Sequence, residues 1–242
     1  MSARIARAMV LAAGLGLRLR PITLTTPKPL VRVGGTTMLD RVLDRLAEHG
    51  IELAVVNTHH LGEQIARHVA ARRAPRIVLS HEDELLDTGG GVKKALPLLG
   101  DAPFFVVNSD LLWTDGAEPA LGRLARAWDD GRMDTLLLLQ PTSRAYGYDG
   151  QGDFFMAEDG RLSRRRAEAP APYLFAGIQI VHPRLFLDAP DGKFSLNLLF
   201  DRAAAAGRLF GLAHLGGWYH VGTPDSLAGV EAALAADPAP GG

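Results

Sequence analysis

An α/β fold built on a doubly wound, mostly parallel sheet is predicted by three observations. Apolar runs of strand length alternate with stretches whose hydrophobic residues recur at helical spacing, and the connections are short. Polar residues gather just after four of the predicted strands, the edge at which such sheets bind ligands. The 242 residues are enough to bury one large core.

The first strand is Met9, Val10 and Leu11, ending at Ala12, Ala13 and Gly14. Met38, Leu39, Val42, Leu43 and Leu46 then share one helical face, with Thr36 or Thr37 as cap and Gly50 closing the far end. Residues 53–56 form a buried strand, 61–71 a helix, 77–79 a strand, 91–98 a helix and 104–107 a strand. A helix at 117–130 and a strand at 135–139 continue the rhythm. Beyond Gln140 it weakens: β-like runs at 152–157 and 173–181 are followed by helical patterns at 193–206 and 224–236. We expect one domain over 1–242, with a ligand-binding core at about 1–140, a small β-containing lid at about 141–236 and a frayed tail at 237–242.

Composition narrows the function. The apolar runs are too short and too often broken by charge to span a membrane, and residues 1–7 lead into the first strand without an export signal. With no cysteine there is neither a disulfide framework nor a thiolate metal site, which suits a cytoplasmic protein. A net charge of −1 gives no bulk attraction to nucleic acid or anionic lipid, so any anion is recognised locally. Nothing in the chain reports its oligomeric state, and no internal or hexapeptide repeat is present.

The stretch MVLAAGLGLRLRPITLTTPKPL, residues 9–30, is the local anion site. Gly14 and Gly16 can take positive φ and present consecutive N–H groups, and Arg18 and Lys28 add positive charge. Pro27 and Pro29 stiffen the backbone around Lys28. No Gly-x-x-x-x-Gly-Lys-Ser/Thr is present, and Leu19 stands where the dinucleotide fingerprint needs its third glycine. The glycine pair alone reads equally as a tight turn. Other polar groups follow the later strands: Asn57 after the second, Glu82 after the third, Asn108 and Asp110 after the fourth. Asp110 alone is most often a cap or turn former, and Gly89, Gly90 and Gly91 alone serve close packing as readily as an open helix N-terminus.

Together, G-x-G-x-R-x-R-P at Gly14 to Pro21, T-P-K-P-L at Thr26 to Leu30 and N-S-D at Asn108 to Asp110 resemble the signature of the sugar-phosphate nucleotidyltransferases. The resemblance spans nearly the whole chain and implies a Rossmann-like fold and a metal-assisted transfer from a nucleoside triphosphate to a sugar 1-phosphate. It implies catalytic roles for Arg18, Lys28 and Asp110, with Lys28 on the α-phosphate and Arg18 on the departing phosphates. Ala12, Ala13, Gly14, Gly16, Asn57, Glu82, Thr88 and Gly89 would hold the nucleotide, and Asn108, Gly152, Asp153 and Gly177 the sugar. Asp110 is the implied ligand of Mg²⁺, or of Mn²⁺.

One position departs from the pattern. His220 in W-Y-H-V-G-T stands where the family has its second metal-ligating aspartate. Imidazole suits softer ions than Mg²⁺, so His220 either ligates another metal, donates to a phosphate or is compensated by Asp225; we favour the second. Gly152, Asp153 and Phe154 resemble a G-D-F motif of bacterial uridylyltransferases of peptidoglycan recycling, although Asp153 alone reads equally as a turn residue. Uridylyl transfer to N-acetylmuramate 1-phosphate is therefore expected, with a mannose or heptose 1-phosphate guanylyltransferase as the rival. An inactive sugar-nucleotide sensor is the second rival, favoured only by His220. Arg164, Arg165 and Arg166 either steer the sugar phosphate or form a solvated basic face.

Overall fold

The computed structural model describes residues 4–165 and 169–236, so Arg166 and the expected frayed tail lie outside the described residues. In chain order, β1 (Arg7–Leu11) leads through three short 3-10 turns to β2 (Arg32–Val33), β3 (Thr36–Thr37) and α1 (Met38–Glu48). Then come β4 (Leu53–Thr58), α2 (Gly62–Val69), β5 (Arg76–His81), α3 (Asp87–Leu99), β6 (Phe104–Asn108), β7 (Leu112–Trp113) and α4 (Ala120–Ala127). The second half holds β8 (Thr135–Pro141), β9 (Ala145–Tyr146), β10 (Phe154–Met156), β11 (Leu162–Arg164) and β12 (Tyr173–Val181). It ends with α5 (Asn197–Ala205), β13 (Leu209–Ala213), β14 (Trp218–Tyr219) and α6 (Pro224–Ala236).

Nine strands make one sheet in the order β11-β10-β12-β6-β1-β4-β5, with β8 on the other edge of β12 and β13 beside β8. The pairs β6·β1, β1·β4, β4·β5 and β8·β13 are parallel, and every pair that includes β10 or β12 is antiparallel. Period-two alternation assigns the two faces. Ala8, Val10, Ala54, Val56, Phe105 and Val107 pack with α1, α2 and α4, while Met9, Val55, Phe104 and Val106 pack with α3 and α5. The sheet is thus mixed, with helices on both faces. Among the described residues no helix is long and apolar enough to cross a membrane.

Helix α1 follows its pattern closely. All five of its expected core residues are buried, and the Thr37 hydroxyl accepts from the Asp40 N–H at 3.0 Å. The structure differs from expectation in three places. The expected lid contributes strands to the main sheet: β12 pairs with β6 along Ile178 to Val181 and with β8 on its other edge. Helix α3 starts at Asp87, four residues ahead of the expected boundary, so the triple glycine lies inside it. Residues 193–196, expected as the start of a helix, form an irregular strap, and α5 begins only at Asn197.

Candidate nucleotide and sugar site

The ends of β1, β4, β5 and β6 converge on a cavity of about 580 Å³ lined by Ala12, Ala13, Gly14, Gly16, Arg18, Lys28, Asn57, Glu82, Thr88, Asn108 and Asp110. A second cavity of about 280 Å³ shares Arg18, Lys28, Asn108 and Asp110 with it, and adds Tyr148, Asp153, Phe175, Gly177, Trp218 and His220. The two hollows therefore meet at Lys28 and Asp110. The Lys28 Nζ donates to the Asp110 Oδ2 at 2.6 Å, and the pair is only partly exposed.

The loop after β1 is held from beneath. The Ala12 N–H donates to the Asn57 Oδ1 at 2.6 Å, the Asn57 Nδ2 donates to the Glu82 Oε1 at 2.7 Å, and the Leu86 N–H donates to the Glu82 Oε2 at 2.9 Å. Asn57 and Glu82 are nearly inaccessible. Ala12 thus has no amide to spare for an anion, whereas the N–H groups of Ala13 to Gly16 meet no protein acceptor among the described residues. Gly16 has φ +61°, and a Cβ there would press on Thr23 at 2.8 Å; Gly14 shows neither positive φ nor crowding. The Ser109 Oγ donates to the Leu11 carbonyl at 2.6 Å, fastening the Asp110 turn to the end of β1.

Two expected contacts are not made. Gly89 does not reach the cavity: it is buried, its N–H donates to the Phe194 carbonyl at 2.9 Å, and a Cβ there would collide with the Phe194 ring. Packing, not an open amide, explains this glycine. Gly152 is likewise buried beside the smaller cavity, with φ +71° and its N–H donating to the Tyr148 Oη at 2.9 Å. Asp153 does line that cavity, where its Oδ2 accepts from the Phe175 N–H at 2.9 Å. Gly177 lies where the β8·β12 register shifts, and with φ +80° it lets Asn108 and Leu111 approach.

His220 lines the smaller cavity and stacks on Trp218 with centroids 6.0 Å apart. Burial, then the Arg18 and Lys28 charges, hold its pKa below the ordinary imidazole range, while Asp110 and Asp149 oppose the shift. Its ring is therefore neutral near neutral pH. Among the described residues no group of three or more His, Cys, Asp or Glu is placed to hold a metal. Where the two cavities meet, the site offers the Asp110 carboxylate beside an anion-binding loop, with the neutral His220 imidazole on the wall of the smaller cavity.

Residues 7–164 match the family described as nucleotidyl transferase. The chain belongs to that family. N-acetylmuramate alpha-1-phosphate uridylyltransferase of Caulobacter vibrioides is 46% identical over 233 residues, which is 94% of this chain and 96% of that one. The Neisseria meningitidis serogroup B protein of the same name is 34% identical over 221 residues, covering 90% and 93% of the two chains. In structure, a UDP-glucose pyrophosphorylase complexed with UDP-glucose superposes with a TM-score of 0.79 at 16% identity, covering 96% of this chain and 99% of that one, and so shares the fold. The protein is a nucleotidyltransferase.

Several residues at this site carry no motif of the family pattern. Leu17, Leu85, Asp87 and Lys193 line the larger cavity and Tyr148 the smaller. Arg165 stands beside the smaller cavity, its Nε donating to the Gly152 carbonyl at 3.0 Å. The one available signal for Lys193 was the Asp-Gly turn just before it, which breaks a helix pattern.

Burial also sets a pH dependence of stability. His49, His182, His214 and His220 all have pKa values lowered first by burial. His214 donates from Nε2 toward the Thr114 and Gly217 carbonyls, and its Nδ1 has no partner among the described residues. The unfolded chain therefore binds more protons below about pH 6.5, and stability falls as pH drops through that range. Urea unfolding should give a smaller free energy at about pH 5.5 than at about pH 7.5. The variant His214→Gln, which keeps a donor but does not titrate, should narrow that gap.

Proposed function

We propose that the protein transfers the uridylyl group of UTP to N-acetylmuramate 1-phosphate, releasing pyrophosphate and forming a UDP-sugar. The observation that carries the choice of substrates is the 46% identity, over nearly all of both chains, with the uridylyltransferase of Caulobacter vibrioides. The two cavities joined at Lys28 and Asp110 suit a nucleotide in the larger, a sugar phosphate in the smaller and phosphoryl chemistry between them.

The free amides of Ala13 to Gly16 receive the triphosphate, Arg18 takes its β and γ phosphates, and Lys28 turns from Asp110 to the α-phosphate as charge builds there. The sugar phosphate is already an anionic nucleophile, so its oxygen attacks phosphorus in line and pyrophosphate leaves without a general base or a covalent enzyme intermediate. The Arg165 guanidinium, anchored through Nε, keeps its other nitrogens for the sugar's phosphate. Thr88 shapes the nucleoside end, and Asn57 and Glu82 act from beneath by holding the loop. Asn108, Asp153 and Gly177 border the sugar.

A hard divalent ion fits this donor set. Mg²⁺ is commonly held by one or two carboxylates together with substrate phosphates and water, and Asp110 supplies a carboxylate at the meeting point of the cavities. Bound there, Mg²⁺, or Mn²⁺ in its place, would neutralise charge on the phosphates. His220 is better matched to donating to a phosphate oxygen than to ligating Mg²⁺. UTP as substrate places the enzyme in the cytoplasm, and its product in the recycling of peptidoglycan sugars.

A pyrophosphate-release assay with UTP, GTP, CTP and dTTP, each against a panel of sugar 1-phosphates, tests the reading. The highest kcat/KM is expected for UTP with N-acetylmuramate 1-phosphate. A preference for GTP with a mannose or heptose 1-phosphate would replace it with the guanylyltransferase alternative.

A further inference from the structure

The strap at residues 189–196 is fastened to α3 along its length. The Lys93 Nζ donates to the Ala189 carbonyl at 2.7 Å, the Pro190 carbonyl at 3.2 Å and the Asp191 Oδ1 at 2.7 Å, and that lysine holds the Asp191 carboxyl below its usual range. Further along, the Phe194 carbonyl accepts from Gly89 and Gly90, the Phe194 N–H donates to the Leu86 carbonyl at 3.1 Å, and the Leu196 N–H donates to the Thr88 Oγ1 at 3.0 Å. A Cβ on Gly90 would strike the Gly192 carbonyl. Two of the three consecutive glycines thus exist to let this strap lie against the helix.

Between its fastenings the strap presents one side chain to the larger cavity, Lys193. It is exposed, and it makes no hydrogen bond or ion pair among the described residues. The other cations lining the two cavities are Arg18 and Lys28, which the triphosphate uses. Lys193 is therefore a cation held at the site with no anion assigned to it.

We propose that Lys193 selects the sugar, by pairing with a carboxylate that the sugar carries in addition to its phosphate. This rests on the functional reading above, because the lactyl ether of N-acetylmuramate 1-phosphate bears such a carboxylate and neutral hexose phosphates do not. Because the cavities share Arg18, Lys28, Asn108 and Asp110, a sugar whose phosphate lies at that wall can send its ether arm into the larger one. An ammonium on a flexible stem suits a carboxylate on a flexible arm, since neither needs a fixed planar geometry.

N-acetylmuramate 1-phosphate and N-acetylglucosamine 1-phosphate differ only by the lactyl ether, so their kcat/KM ratio isolates this contact. For Lys193→Met the ratio of acid to neutral sugar should fall about tenfold through KM, the worth of one charged hydrogen bond. Lys193→Glu should lower it further. An unchanged ratio, or an effect concentrated in the KM for UTP, overturns the assignment while leaving uridylyl transfer intact. A wild type that uses only neutral sugar phosphates overturns the functional reading, and this assignment with it.

Discussion

Asp110→Asn is expected to lower kcat by roughly a hundredfold to a thousandfold while leaving the fold intact. Asparagine keeps the shape of the side chain and one oxygen for the Lys28 Nζ, but it removes the negative charge. That charge does two things in the proposed cycle: it balances Lys28 at 2.6 Å, and it provides the carboxylate for a divalent ion. Side-chain exposures of 13% for Lys28 and 35% for Asp110 make the pair partly buried, so losing the charge while keeping an acceptor for Nζ should cost about 1–3 kcal/mol of stability. Steady-state kinetics and thermal melts on one preparation check both halves. Lys28→Met should lose a comparable factor in kcat, and the double variant should lose far less than the product of the two, as groups acting as a unit do.

Glu82→Ala is expected to act through stability first. Glu82 is 1% exposed and accepts from the buried Asn57 amide and the partly buried Leu86 N–H. Removing it leaves both without partners, at about 1–3 kcal/mol each, so a total near 3 kcal/mol is reasonable. For a domain of this size that lowers Tm by roughly 6–12 °C. Function should fall as well, because Asn57 is what binds the Ala12 N–H and so sets the loop after β1. A calorimetric melt together with the KM for UTP checks the pair of effects. Glu82→Gln keeps an acceptor for one donor and should be milder in both.

The cleft was legible in the sequence wherever its residues are neighbours in the chain. The loop at Gly14 to Arg18, the proline-bracketed Lys28 and the strand-to-carboxylate run ending at Asp110 are local patterns, and the sheet rule sends all of them to one edge. The structure brings them together in the larger cavity. Residues contributed by long-range packing were not legible. Lys193 lies 105 positions beyond Thr88 and reaches the same hollow only because Phe194 and Leu196 bond to the start of α3.

The fold shows the same division. Helix α1 carries a clean apolar period, the strands β1, β4 and β6 are built on unbroken apolar runs, and all four were readable from these. The beginning of α3 was blurred across its three glycines because glycine disfavours helix by about 1 kcal/mol per residue, and what overrides that preference is contact with Phe194, Gly192, Glu82 and Asn57. Two-residue strands such as β7, β9 and β14 are too short to show a period, although they form the small sheet that sets Trp218 and His220 at the cavity. The place of β12 between β6 and β8 also escaped the pattern, since an apolar run does not reveal its partners.

Phosphorus NMR of the protein with UTP, N-acetylmuramate 1-phosphate and Mg²⁺ tests the central claim most directly. Pyrophosphate and the diphosphate resonances of a UDP-sugar should grow in equal amounts as both substrates decline, and with Asp110→Asn both should grow at least about a hundredfold more slowly. Unchanged UTP, or its conversion to UDP and inorganic phosphate without a nucleotide sugar, would contradict nucleotidyl transfer at this site.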